Sequence, residues 1–360
     1  MQMMPHGHGG DTASLPPHTL DFSANLNPCG LPPGVAEAAA EAIRRPGYPD
    51  PFCRELTGML AETQHLPAHW ILCGSGAADL IYRLVWAVRP RRALLVSPCF
   101  SEYERALQTI GCPIRFHPLR PEENFQISPA LLGDLHGIDL VFLCNPNNPT
   151  GLLCPPDLLE AVLRRCAQEQ ILLVLDECFL ELTDFPERTA IPFLDRAPLV
   201  ILKAFTKTYA MAGLRLGYCL CRFPSLLESM RRAGPPWNVS SPAQAAGIAA
   251  LQAGKGYLET SRRLIRKQRM VLRQGLESLG FRVWDSKANF LFFRGTKGLY
   301  SSCLQAGIHL RACENYRGLE DGSYYRIAVR TPEENRQLLG RLQQLLSQEG
   351  RLWENQQKPL

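Results

Sequence analysis

The sequence predicts an α/β protein: a mainly parallel sheet flanked by helices, followed by a smaller α+β domain. Three observations carry this expectation. Between about residues 70 and 222, short runs rich in Val, Leu and Ile alternate with helix-like segments, the pattern of a parallel sheet covered on both faces. After about residue 250 that alternation stops, and a long basic amphipathic segment leads to two strands and a last helix. The chemically unusual residues, Asn145 to Gly151, Asp176 and Lys207, fall where strands end, the edge at which such sheets bind ligands.

The elements follow in order. Residues 1–20, rich in Gly, Pro and His, form an arm. "AADLIYRLVWAV" (77–88) is a helix and "RALLVS" (92–97) a strand. "IDLVFLCNP" (138–146) is a second buried strand, and "PPDLLEAVLRRCAQEQ" (155–170) a helix opened by prolines, which suit a first turn. "ILLVLDE" (171–177), "LVILKAF" (199–205) and "LRLGYCLC" (214–221) are further strands. A helix over roughly 255–279 precedes the strands "KANFLFFR" (287–294) and "YYRIAVR" (324–330), and Thr331 caps a last helix opened by "TPEEN". The chain thus divides into an arm over 1–40, a large domain over 41–250 and a small domain over 251–360, in keeping with ~150 residues per domain.

Composition excludes several function classes. The 46% hydrophobic and 20% charged residues are ordinary for a soluble protein. A net charge of +5 without a Lys/Arg tract gives nucleic-acid binding little support. The start, "MQMMPHGHGGD", has neither the basic nor the apolar region of a signal peptide, and no apolar run reaches the ~20 residues that span a bilayer. The thirteen cysteines are scattered without a C-x-x-C, so reduced thiols in a cytoplasmic protein are expected, and no metal site.

"VILKAFTKTYAMAGLRLGY" (200–218) carries Lys203 and Lys207 near the end of an apolar strand, then Arg215 after a glycine turn. A desolvated lysine is nucleophilic and suits an imine with an aldehyde, whereas a lone lysine there would usually hold its ammonium in solvent. An arginine beside it could clamp a phosphate, and "CGSGAADL" (73–80) sets glycines at a helix N-terminus, where backbone N–H groups bind phosphate. Asp176 ends an all-apolar strand, where it either pairs with a cation, such as a protonated pyridine nitrogen, or caps the next segment. "NPNNPTG" (145–151) fixes a rigid turn whose asparagines could hold a phenolate oxygen, and Phe100 could stack on a ring or belong to the core.

G-S-G-A, N-P-N-N-P-T-G, L-D-E and T-K-x-x-x-x-x-G-x-R, in this order and spacing, resemble the fold-type I pyridoxal-phosphate enzymes of the aminotransferase class I/II group. The resemblance implies the pyridoxal-phosphate-dependent transferase fold, with Lys207 as the lysine that condenses with the cofactor and Asp176 as the partner of its pyridine nitrogen. It also implies that Asn148 binds the ring oxygen and Phe100 stacks on the ring. Arg215, Ser75, Gly76, Ala77 and Thr206 would hold the phosphate; Ala204 stands where the group often has Ser or Thr. "GYPDPFCREL" (47–56) resembles a segment whose tyrosine, here Tyr48, would reach the cofactor phosphate of a second subunit, implying a homodimer with shared sites.

"HGHGGD" (6–11), "LDFSANLNPCGLPP" (20–33), "HLRACENYRGL" (309–319) and "YYRIAVRTPEEN" (324–335) are similar to segments of the threonine-phosphate decarboxylases of cobalamin biosynthesis. Histidinol-phosphate aminotransferases share the cofactor motifs but usually carry N-E-N-P, and a tyrosine where Phe179 stands. The resemblance implies a substrate site of His8, Gly9, Asn25, Asn148, Arg311 and Arg326, and a small phosphorylated amino acid as substrate. Taken alone, His8 in a Gly-rich terminus would be solvated, and Arg326, alternating with apolar residues, would lie at the surface. The expected activity is decarboxylation of L-threonine O-3-phosphate. The alternatives are an aminotransferase of the histidinol-phosphate type and a non-catalytic cofactor-binding module.

Overall fold

The computed structural model describes residues 8–356 except Ser14, with side chains through residue 347; residues 6 and 7 of the H-G-H-G-G-D stretch lie outside it. The chain enters through a two-residue strand, β1 (Leu20–Asp21). Seven strands then build the main sheet: β2 (Ile71–Gly74), β3 (Ala93–Ser97), β4 (Ile114–Pro118), β5 (Leu140–Cys144), β6 (Leu172–Asp176), β7 (Leu199–Ala204) and β8 (Gly217–Leu220). Their order is β2-β8-β7-β6-β5-β3-β4. All neighbouring pairs are parallel except the two made by β8, which runs against both β7 and β2. The sequence predicted a mainly parallel sheet, and the reversed strand follows from the short return after Lys207: no helix crosses over between Ala204 and Gly217, only a turn of helix at Phe205–Thr208 and a 3-10 turn at Ala212–Leu214.

Alternation along the strands assigns two faces. On β7, Leu199 and Ile201 pack with Leu173 and Leu175 of β6 in one core cluster; Val200, Leu202 and Ala204 pack with Val174 in the other. Burying such side chains contributes ~1.5–3 kcal/mol each. Helices Ala77–Val88 and Ser101–Gln108 cover one face, and helix Pro156–Glu169, with proline in its first turn, covers the other.

Beyond the sheet, helix Gly254–Ser278 spans 25 residues and buries Ile265, Gln268, Arg269, Leu272 and Leu276, a stripe of helical period. It backs a second sheet made of β9 (Arg282–Val283), β10 (Phe290–Arg294), β12 (Arg311–Ala312) and β13 (Tyr324–Ala328) in the order β12-β13-β10-β9; β11 (Ile308–His309) stands apart and takes β1 as a parallel partner. The arm is therefore fastened to the C-terminal region. Thr331 and Glu334 form a reciprocal cap for helix Pro332–Gln356: Glu334 N–H donates to Thr331 Oγ1 at 3.3 Å, and Thr331 N–H donates to Glu334 Oε2 at 3.1 Å.

Candidate active site

A cavity of about 400 Å³ opens at the carboxyl edge of the main sheet, between it and the C-terminal sheet. Strand ends supply its lining in turn: Ala77 after β2, Phe100 after β3, Asn148 after β5, Asp176 at the end of β6, Lys207 after β7 and Arg215 before β8. Thr206, Ala204, Cys144, Cys178 and Phe179 complete that wall, while His8, Gly9, Asn25, Arg311 and Arg326 line it from the arm and the second sheet.

The two lysines part company. Lys203 faces the side of the sheet away from the cavity, where its ammonium lies 3.1 Å from Glu177 and 3.1 Å from Glu181. Burial alone would lower its pKa, but Glu181 and Glu177 outweigh that and hold it above the ordinary lysine value. At Lys207 burial dominates, Arg326 and Arg215 add cations, and the amine is pushed down to about 8. Its turn is pinned from the arm side: Asn27 N–H donates to the Lys207 carbonyl at 3.1 Å, and Asn27 Nδ2 donates to the Thr208 carbonyl at 2.9 Å.

Of the two parts the sequence left open for Asp176, the cap is seen directly, and a tyrosine hydroxyl rather than a cation meets its second oxygen. Its Oδ1 accepts from Cys178 N–H at 2.9 Å, a local turn, and its Oδ2 accepts from the Tyr103 hydroxyl at 2.5 Å. Burial first, then Asp176, pushes the Tyr103 phenol well above its usual range, so it stays a donor. Burial likewise pushes the Cys144 and Cys178 thiols up.

At the N-terminus of helix Ala77–Val88, Gly76 has φ +86°, and a Cβ there would stand 2.7 Å from Arg215 Nη2. The guanidinium thus lies against the glycine, beside the first N–H groups of the helix. Ser75 N–H is already spent on Asp79 Oδ2 at 3.0 Å, and neither Ser75 nor Gly76 reaches the cavity lining. Tyr48 is 82% exposed, outside the cavity, stacked on Trp237 with ring centroids 4.8 Å apart.

Arg326, which strand alternation alone would put at the surface, is buried, because β13 is an inner strand of its sheet and the arm covers that face. Its Nη1 donates to Asn148 Oδ1 at 2.5 Å and its Nη2 to the Ser23 carbonyl at 3.0 Å. With the Asn25 amide oxygen turned toward it, Nε lies 3.2 Å away. Arg311 is its cross-strand partner on β12, with the guanidinium 5.2 Å from the Tyr316 ring, and it donates to the Ala312 carbonyl and Asn315 Oδ1. His8 is not free in solvent: Nε2 lies 2.7 Å from Glu102 Oε1.

Sequence reasoning missed Glu102, Tyr103, Tyr316 and Asn27. Tyr103 had a signal, since it follows Phe100 by three positions and a helix begins there. Tyr316, whose hydroxyl is 3.4 Å from Asn148 Oδ1, had none.

This arrangement, a desolvated amine and a buried carboxylate lining one cavity, an arginine at a helix N-terminus and a rim of arginines, defines a class. Residues 17–342 match the family model described as aminotransferase class I and II, and the chain belongs to that family, whose enzymes work with pyridoxal phosphate. Within it, the chain is 37% identical to the threonine-phosphate decarboxylase of Salmonella typhimurium, over 96% of this chain and 98% of that protein. Among solved structures, the histidinol-phosphate aminotransferase of Clostridium acetobutylicum superposes with a TM-score of 0.84 at 30% identity, covering 91% of this chain and 98% of that one. The L-threonine-O-3-phosphate decarboxylase of Porphyromonas gingivalis does so with 0.78 at 25% identity, covering 91% and 99%.

Proposed function

We propose that this protein is a pyridoxal-phosphate-dependent decarboxylase of L-threonine O-3-phosphate, releasing CO2 and (R)-1-amino-2-propanol O-2-phosphate for cobalamin biosynthesis. The observation that carries it is the Arg311–Arg326 pair. Like charges directly opposite on neighbouring strands are destabilising, and these two face one cavity together with Lys207 and Arg215. Such a surplus of cations suits a substrate bearing both a carboxylate and a phosphate.

The residues present also fit the cofactor. Lys207, its pKa held near 8 by burial first, is the amine for its aldehyde, and Arg215 with the N–H of Ala77 and the Thr206 hydroxyl would hold its phosphate. Ser75 and Gly76 would support that cradle from beneath. Asp176, oriented by Tyr103, would face the pyridine nitrogen, Phe100 the ring plane, and Asn148 the ring oxygen. When bound, pyridoxal phosphate supplies an electron sink for the pair left at Cα when the carboxylate departs. The protein's share is orientation. Arg311 and His8 would anchor the substrate phosphate, while Arg326, Asn25 and Gly9 would fix the rest of the molecule and so select the bond to the carboxylate for cleavage. Lys207 Nζ would return the proton to Cα.

We further propose a cytoplasmic homodimer. Tyr48, Phe52 and Trp237 form an exposed aromatic patch suited to a second copy, from which Tyr48 would reach the partner's cofactor phosphate. Among the described residues no helix is long and apolar enough to cross a membrane.

The test offers O-phosphothreonine with and without 2-oxoglutarate. Decarboxylation proceeds without the keto acid; dependence on it would make the protein an aminotransferase instead. Arg311→Ala should lower kcat/KM for O-phosphothreonine by roughly 2–5 kcal/mol, the range for truncating one partner of a buried charge pair. An equal loss on free threonine would remove Arg311 as the phosphate anchor.

A further inference from the structure

The described start of the arm, His8 to Gly10, is held at two places beside the cavity. At the first, Gly9 packs so closely on Ser23 that a Cβ would stand 2.2 Å from the Ser23 carbonyl oxygen, and Gly10 N–H donates to Ser23 Oγ at 2.8 Å. At the second, His8 reaches helix Ser101–Gln108: its Nε2 lies 2.7 Å from Glu102 Oε1, and its ring centroid 5.6 Å from that of Phe100. The first contact is backbone packing that only glycine permits. The second is one side-chain contact between groups 39% and 12% exposed, a kind of contact that opens readily.

Glu102 is out of place by charge. It lines a cavity whose other charged groups are chiefly cations, and a bare carboxylate there would repel an anionic substrate. Its donors resolve this: besides His8, the Tyr82 hydroxyl donates to Oε2 at 2.9 Å and Arg105 Nη1 to Oε1 at 3.0 Å. The His8 contact first, and Tyr82 after it, hold its carboxyl below the usual range against the effect of burial. Arg105 Nη1 also stands 3.4 Å from His8 Nε2, too far to compete with the 2.7 Å contact. Nε2 therefore carries the hydrogen that Glu102 accepts, and Nδ1 is left as the ring's other polar atom.

We propose that Glu102 is a positioning residue for the phosphorylated substrate: its carboxylate takes the Nε2 hydrogen of His8, docks the arm across the cavity, and leaves Nδ1–H to donate to the substrate phosphate. This rests on the decarboxylase assignment above. An imidazole donating from both nitrogens is a cation, so Glu102 supplies its counter-charge as well as its orientation.

The prediction has a sign opposite to simple electrostatics. Removing a carboxylate from an anion site should tighten substrate binding if Glu102 acts only as a nearby charge. As a positioning residue, Glu102→Gln should raise KM for O-phosphothreonine about two- to fivefold, the range for a partly exposed ion pair, with kcat within about twofold. In a His8→Ala background the same substitution should leave KM unchanged. In the holoenzyme without substrate, Glu102→Gln should also speed hydrogen exchange at the Gly9 and Gly10 amides. A lowered or unchanged KM, or effects of the two substitutions that simply multiply, would overturn the proposal. If wild type fails to decarboxylate O-phosphothreonine, the functional assignment falls, and the exchange measurement still decides whether Glu102 docks the arm: unchanged exchange refutes it.

Discussion

Replacing Lys207 by Met should stabilise the cofactor-free protein while ending its chemistry. Burial, reinforced by Arg326 and Arg215, takes the Lys207 amine from 10.5 to about 8. At about 1.4 kcal/mol per pKa unit, that drop costs the folded protein about 3 kcal/mol whenever the unfolded chain holds its proton and the folded one must hold it too. For a lysine with a depressed folded value, the unfolded state binds more protons between pH 8 and 10.5, so stability rises with pH across that window. The cost is full below pH 8 and fades toward pH 10.5. Lys207→Met removes it, so the variant should be more stable by about 3 kcal/mol at pH 7, shrinking to about 1 kcal/mol at pH 10. Urea unfolding of both cofactor-free proteins at the two pH values measures this, with equal slopes as the control on the denatured state. A second readout is the rate at which wild type captures pyridoxal phosphate, which should rise through about pH 8 as the amine loses its proton. A variant less stable at pH 7, or an advantage that does not change with pH, would refute the claim that Lys207 is a strained, desolvated amine.

Lys203→Met should behave in the opposite way: it strips the cation from Glu177, which is fully buried, and should cost about 3–5 kcal/mol of stability while the cofactor's visible absorbance, read on the folded fraction, persists. Tyr103→Phe removes the hydroxyl that donates to Asp176 and should lower kcat by roughly 1.5–3 kcal/mol, the range for a hydrogen bond to a charged group, with KM nearly unchanged in steady-state assays.

The strands and helices that were legible have local signals, whereas β2, β4 and helix Ser101–Gln108 went unread. Alternation placed β5, β6 and β7, proline marked the start of helix Pro156–Glu169, and Thr331 with Glu334 announced the last helix. Phe100, Asn148, Asp176 and Lys207 were legible for the same reason, each sitting at or just past a readable strand end. What escaped were contacts between segments far apart in the chain. "SEYERALQ" is an ordinary amphipathic helix until His8 arrives 94 residues away to engage Glu102. β1 is two residues long and exists only because Ile308 and His309 pair with it. Arg326 sits in an alternating strand that gives no hint of an arm folded over its exposed-looking face, and the depth at which it lies is set by that cover.

Asp176 and Glu177 are consecutive residues, yet one faces the cavity and the other lies behind the sheet against Lys203. The two carboxylates are distinguished only by the phase of a strand with period two. A slip of β6 by one residue would exchange them without changing any charge: the longer glutamate would crowd the cavity and the shorter aspartate would fall short of the buried ammonium. A point substitution at this strand end disturbs one of the two roles, whereas a single-residue insertion or deletion upstream inverts chemistry and support together. The end of β6 should therefore tolerate changes of residue far better than changes of length.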